Sequence, residues 1–253
     1  MNKKYRLGVI IAIFVLLFST SCITNRQKLY LQESPAKEKT AIPYQPYRLQ
    51  VNDEIVYYLM TTNPAIQSLY NSSQGGSSDM QNMVTYRIYE DGTIMLPTVG
   101  KVKILNMTIR EAEQTLSEQF KKIVVDAEIK MSIANNYFYV EGDGGKGRFY
   151  MYKDELNIFQ ALAMAGDISS IGDKENIKII RRGNDGLDHI TTLDIRRETI
   201  FSSEYYYIRP NDVIYIPTSK RAFFRIESLS DFLAIVALPI SLTLSAMTFL
   251  KLK

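Results

Sequence analysis

Few residues in this chain have types and spacings that could do chemistry. There is one histidine, His189, and one cysteine, Cys22, so no His/Cys metal cluster can form. His189 falls within a strand pattern after a hairpin signal, and a catalytic histidine would need oriented partners. The carboxylate pairs Glu111/Glu113 and Asp154/Glu155 raise acid–base hydrolysis of a glycosidic bond. Glu111, however, is accounted for by a helix cap, and close neighbours on a helix point to different faces. The glycine-rich run Gly142–Gly147 resembles a phosphate loop only in richness, because it lacks the Gly-Lys-Ser/Thr ending. Tyrosine is abundant, with 17 residues and no tryptophan. Its rings can stack on sugars, but in a strand such as Ser203–Ile208 they more often pack across strands. The inventory predicts a protein that is not an enzyme and carries no metal or cofactor.

The ends of the chain place these residues in a compartment. Lys3, Lys4 and Arg6 account for the whole formal excess of +3, so the remainder is neutral and offers no basic block for nucleic acid. They precede an apolar run, Leu7–Phe18, too short to span a bilayer and followed by small residues up to Cys22. Residues 1–21 are therefore expected to be a signal peptide of bacterial lipoprotein type, with Cys22 the lipidated residue. An unmodified cysteine after an ordinary signal, or an uncleaved anchor, are the alternatives. Residues 22–46 are polar with three prolines and read as a tether. At the other end, Phe232–Leu250 carries no charge and, as a helix, would extend roughly 28 Å. Residues 230–253 are expected to form a C-terminal transmembrane helix. Ala234, Ala237, Ser241, Ser245 and Thr248 fall on one face, a stripe suited to helix–helix contact and self-association.

The elements between must do the positioning. Asn-Asp occurs twice in similar surroundings, in YRLQVNDEI (47–55) and YYIRPNDVI (206–214). Asn52-Asp53 and Asn211-Asp212 therefore read as tight turns that open strands. One echo opens a unit and the other closes one, so they do not mark a tandem repeat. Glu90-Asp91-Gly92 joins two alternating runs as a hairpin, with Asp91 and Gly92 at the turn. Residues 68–82 read as a loop. Thr108 and Glu111 make a capping box ahead of a helix, and Ala127–Ile133 alternates as a strand. Asn157 caps a second helix that Gly166 closes, and a hairpin turns at 184–186.

The order of these signals resembles the outer-membrane polysaccharide export family, the capsule and exopolysaccharide translocons. Its most specific piece is Asp91-Gly92-x-Ile-x-Leu-Pro-x-x-Gly100 followed by Thr108-x-x-Glu-Ala-Glu113. The family's usual Pro-Gly-Asp is here Val51-Asn52-Asp53 and Pro210-Asn211-Asp212. The resemblance implies an α+β fold: a polysaccharide-export domain over 47–135, one soluble β-grasp-type domain over 136–218, then the C-terminal transmembrane helix. It also implies a lipid-anchored homo-oligomer, typically an octamer, forming an outer-membrane pore for capsular polysaccharide or exopolysaccharide. An inner-membrane polysaccharide co-polymerase with a tyrosine kinase would be its partner. The alternative expectation is a monomeric envelope lipoprotein that binds glycan or scaffolds an envelope complex without forming a pore.

Overall fold

A computed structural model describes residues 29–32, 41–72, 84–183 and 185–220, together with separate helical positions between 233 and 248. Tyr30–Thr218 is one compact unit, and it holds two hydrophobic cores.

The first core is built around the strand β1 (Glu54–Met60), flanked antiparallel by β2 (Tyr86–Arg87) and β5 (Glu128–Ile133). A separate ribbon pairs β3 (Thr93–Leu96) with β4 (Gly100–Lys103). The capping box forms as the sequence suggests, and the helix α2 (Ile109–Phe120) follows it. This helix buries Ala112, Leu116 and Phe120 on one face, the i, i+4 stripe of an amphipathic helix. Burying each large side chain contributes about 1.5–3 kcal/mol. Ahead of it lies a helix the sequence reading missed, α1 (Pro64–Ser72). Asn63 caps it, its Oδ1 accepting from the N–H of Ala65 at 3.0 Å, and proline suits the first helical position. Residues 68–72 are thus helix rather than loop; 73–83 lie outside the described residues.

The expected hairpin at Asp91-Gly92 also changes partners. Gly92 has φ +78° and its N–H donates to the Tyr89 carbonyl, so the turn exists. Its flanking strands part, because β2 pairs with β1 while β3 pairs with β4 across Pro97–Val99.

The second core lies under a five-stranded sheet ordered β7 (Gly147–Tyr150), β6 (Tyr137–Gly142), β10 (Val213–Ile216), β8 (Ile177–Arg182) and β9 (Asp188–Leu193). Within this sheet only β10 and β6 are parallel, a pairing that requires a crossover connection. The short helix α3 (Ile158–Met164) starts at a second capping box, Asn157 with Gln160, and buries Ile158, Ala161 and Leu162. Beyond it, the β6–β7 loop comes so close that a Cβ on Gly145 would lie 1.1 Å from the Ala165 carbonyl oxygen. No side chain fits there, so the glycine requirement is steric.

The expected α+β class with a C-terminal transmembrane helix needs correction. The described residues form a mixed α/β fold with these three α-helices and ten strands. None of the helices is long and apolar enough to cross a membrane. The longest, α2, has 12 residues against the roughly 20 a bilayer demands. Between 231 and 253 only separate helical positions are described, and the rest of that segment lies outside the described residues. Cys22, Ala234 and Asn184 also lie outside them.

Candidate functional site

The two Asn-Asp turns have the same construction. Asp53 N–H donates to the Gln50 carbonyl at 3.2 Å, and Asp212 N–H to the Arg209 carbonyl at 3.1 Å. Asn52 and Asn211 sit at φ +73° and +68°, the left-handed region that asparagine tolerates best after glycine. Each aspartate turns back on its own loop: Asp53 Oδ2 accepts from Gln50 N and Asp212 Oδ2 from Arg209 N, both at 2.8 Å. Both carboxylates are almost fully buried, Asp53 at 2% exposure and Asp212 at 1%.

What compensates each burial differs. Asp53 receives only the Tyr47 hydroxyl, at 2.8 Å, so a neutral donor is all that joins the backbone N–H. Burial pushes its carboxyl up to about 6, against the pull of those two hydrogen bonds. The same contact and burial push the Tyr47 phenol up. Asp212 receives a guanidinium fork from Arg181, with Nε at 2.9 Å and Nη2 at 2.6 Å. Arg181 is itself 6% exposed and also donates to the carbonyls of Glu204 and Tyr207 at 3.2 and 2.8 Å. Its guanidinium carbon lies 4.7 Å from the Tyr205 ring centroid. One side chain thus ties β8, the 203–209 segment and the entry to β10 together.

The turns face a shared cleft of about 170 Å³, whose lining also includes Arg182 and Arg209. Arg209 and Tyr47 are common walls with a larger cleft of about 690 Å³. That second cleft is bounded by the irregular strap 42–47, the first turn of α2 and the segment 203–210. The strap is held at both ends: Ile42 N–H donates to the Phe201 carbonyl at 3.1 Å, and Leu49 N–H to the Met107 carbonyl at 2.9 Å. Tyr44 meets Tyr207 edge-on with ring centroids 5.2 Å apart, and Tyr207 meets Tyr206 at 4.9 Å. The lining combines Tyr44 and Tyr207 with Arg110, Arg209, Glu113, Asp154 and Glu204.

The structure brings Asn52, Asp53 and Asn211 to one cleft, with Asp212 buried against its Arg181, and leaves Asp91 and Gly92 in their own turn. Asp91 accepts from the backbone and hydroxyl of Thr93 at 3.0 and 2.7 Å. Ala237, Ser241, Ser245 and Thr248 are helical, with the Ser241 hydroxyl donating to the Leu238 carbonyl at 2.9 Å and the Thr248 hydroxyl to that of Ser245 at 2.8 Å. Of the possible hydrolytic carboxylates, Glu111 and Glu113 have structural partners. Glu111 caps α2, and its bond from the Thr108 backbone holds it below the ordinary carboxylate range. Glu113 accepts the Met131 N–H at 2.9 Å. His189 lies on the exposed hairpin against Asp185 at 2.9 Å. Among the described residues no group of His, Cys, Asp and Glu is placed to hold a metal ion.

Sequence reasoning missed Tyr47, Arg209 and above all Arg181. A signal for Arg181 was present: Ile177, Ile179 and Arg181 alternate on the inward face of β8, so the arginine follows two core isoleucines.

Fold and clefts together define a mixed α/β protein of two cores, joined where a strap and two matching turns meet. Residues 42–134 match the family model described as polysaccharide biosynthesis/export protein. The strap and first core are therefore a domain of that export family, which supports a role in polysaccharide export and is consistent with an envelope protein.

Proposed function

We propose that this chain is a non-catalytic subunit of an oligomeric outer-membrane pore that passes capsular polysaccharide or exopolysaccharide from the periplasm to the cell surface. The observation that carries this reading is the export-family match, which spans both the strap and the whole first core. In this reading Cys22 carries the lipid that holds each subunit at the outer membrane, where one chain alone would bind only marginally and several suffice. Copies assemble into a ring, an octamer by family resemblance. An inner-membrane co-polymerase, paired with a tyrosine kinase, delivers the glycan. Selectivity comes from lumen width and polar lining. A non-catalytic role is supported by Glu111 and Glu113, whose carboxylates serve backbone N–H groups. The larger cleft favours a second reading, a monomeric envelope lipoprotein that binds glycan without forming a pore.

Native mass measurement of the detergent-extracted full chain separates the two, combined with surface-polysaccharide staining of a deletion strain. A closed multimer and loss of surface polysaccharide, restored by the intact gene, are expected. A monomer alongside lost staining favours the second reading, and unchanged staining overturns both.

A further inference from the structure

We propose that the cleft between the strap, the first turn of α2 and the segment 203–210 is a glycan-binding site for a short, hydroxyl-rich segment without net charge. This rests on the export reading for the origin of the ligand, and on the cleft itself for its chemistry.

At about 690 Å³ the cleft is the size of a small-ligand site. Its hydrogen-bonding capacity is left open. Arg209 is partly buried, and its backbone N–H and carbonyl are both engaged by Asp212. Among the described residues its guanidinium has neither ion pair nor hydrogen bond; Asp212 and Glu204 act on it only from a distance. Burial and the neighbouring Arg181 pull its pKa down. Arginine nonetheless stays charged at neutral pH, so an uncompensated cation stands in the wall. Arg110, exposed at the start of α2, is likewise unpaired among the described residues. Facing them, Asp154 and Glu204 line the same cleft with side chains that accept no hydrogen bond among the described residues.

Two planar cations and three carboxylates therefore share one opening without pairing with each other, and of these side chains Glu113 alone is engaged among the described residues, by the Met131 N–H. Vicinal sugar hydroxyls meet this demand, because each hydroxyl donates to a carboxylate and accepts from a guanidinium. The near balance of opposite charges, with the acidic side one ahead, disfavours a strongly anionic or cationic ligand. Tyr44 and Tyr207, set edge-on, offer ring faces for the apolar side of a pyranose. Such a ligand would touch both the export-family domain and the second core, since Arg110 belongs to one and Tyr207 to the other.

The test uses the detergent-solubilised full chain. The probe is a mixture of oligosaccharides from partial hydrolysis of the producing cell's own surface polysaccharide, with oligogalacturonate as an anionic comparison. Calorimetry and saturation-transfer NMR should show saturable binding of the cell's oligosaccharides that changes little between low and high salt. Arg110→Gln, on an exposed side chain, and Tyr44→Leu should each weaken it about tenfold, the loss of one charge-assisted hydrogen bond or one ring contact. Thermal melts identical to wild type for Arg110→Gln would show that the fold is intact. The proposal is overturned if no oligosaccharide saturates the protein or if both variants bind within twofold of wild type. It also fails if oligogalacturonate binds more tightly, which would mark an anion site. Absent binding in a chain whose deletion abolishes surface polysaccharide sinks the cleft and leaves the export role standing. Deletion without effect on surface polysaccharide sinks that role instead.

Discussion

Asp53 and Asp212 occupy matching positions in matching turns, and their surroundings give them opposite electrostatics. Asp212 has a guanidinium fork, and its charge is met where it is buried. Asp53 has no cation within ion-pair distance among the described residues, and burial raises its carboxyl from 3.8 to about 6. A carboxyl that binds its proton more tightly folded than unfolded stabilises the fold while protonated. That contribution is fully present below pH 3.8 and is lost as pH rises through about 6. A shift of this size is worth on the order of 3 kcal/mol. Asp53→Asn keeps an acceptor for Tyr47 and Gln50 without the charge. Chemical denaturation across pH 4–8 should show the variant losing most of the wild type's decline, with the larger gain at the alkaline end. Parallel stability curves for the two proteins would contradict this assignment.

Arg181 shows how a single side chain fixes several segments. It spans from β8 to the carbonyls of Glu204 and Tyr207 and to the carboxylate at the head of β10. Arg181→Met leaves Asp212 buried and unpaired, a change that costs about 3–5 kcal/mol. Replacing both members, Arg181→Met with Asp212→Leu, should recover much of that loss in urea titrations, because the penalty comes from the stranded charge. A double variant as unstable as the single one would assign the loss to the backbone carbonyls instead. Strands and helices with strong local signals were legible in the sequence: the capping box at Thr108, the cap at Asn157, the alternation of β5 and the hairpin of β8 and β9. Tertiary pairing was less legible. The turn at Gly92 was visible in the residues, but which strands it separates depends on β1 competing for β2. The helix α1 was hidden because polar Gln67, Ser68 and Asn71 follow its cap, and its apolar face reduces to Ile66 and Tyr70 packing on the first core. The C-terminal apolar run was read by composition and length, and most of it lies outside the described residues. The cleft was illegible for a related reason: its walls come from positions more than a hundred residues apart, which no local pattern encodes.

Within Tyr30–Thr218 the two cores share no strand, and the strap bonds to both through Ile42 and Leu49. Removing residues 41–46 takes away the Ile42 bond and the Tyr44–Tyr207 contact while leaving each core's own residues in place. The intact unit should melt in one cooperative transition, and the shortened chain in two that are separable by calorimetry. A single transition in the shortened chain would show that the cores hold together without the strap. The matching turns carry a wider lesson. Asn52 donates to Ile88 and Asp53 accepts from that same residue, the exchange of an antiparallel pair, whereas Asn211 donates to Tyr137 and Asp212 accepts from Tyr139, the stagger of a parallel one. Four residues with one internal wiring thus dock onto neighbours running in either direction. Their shared spelling suits a portable connector, and ancestry by duplication should not be inferred from such an echo without matching topology around it.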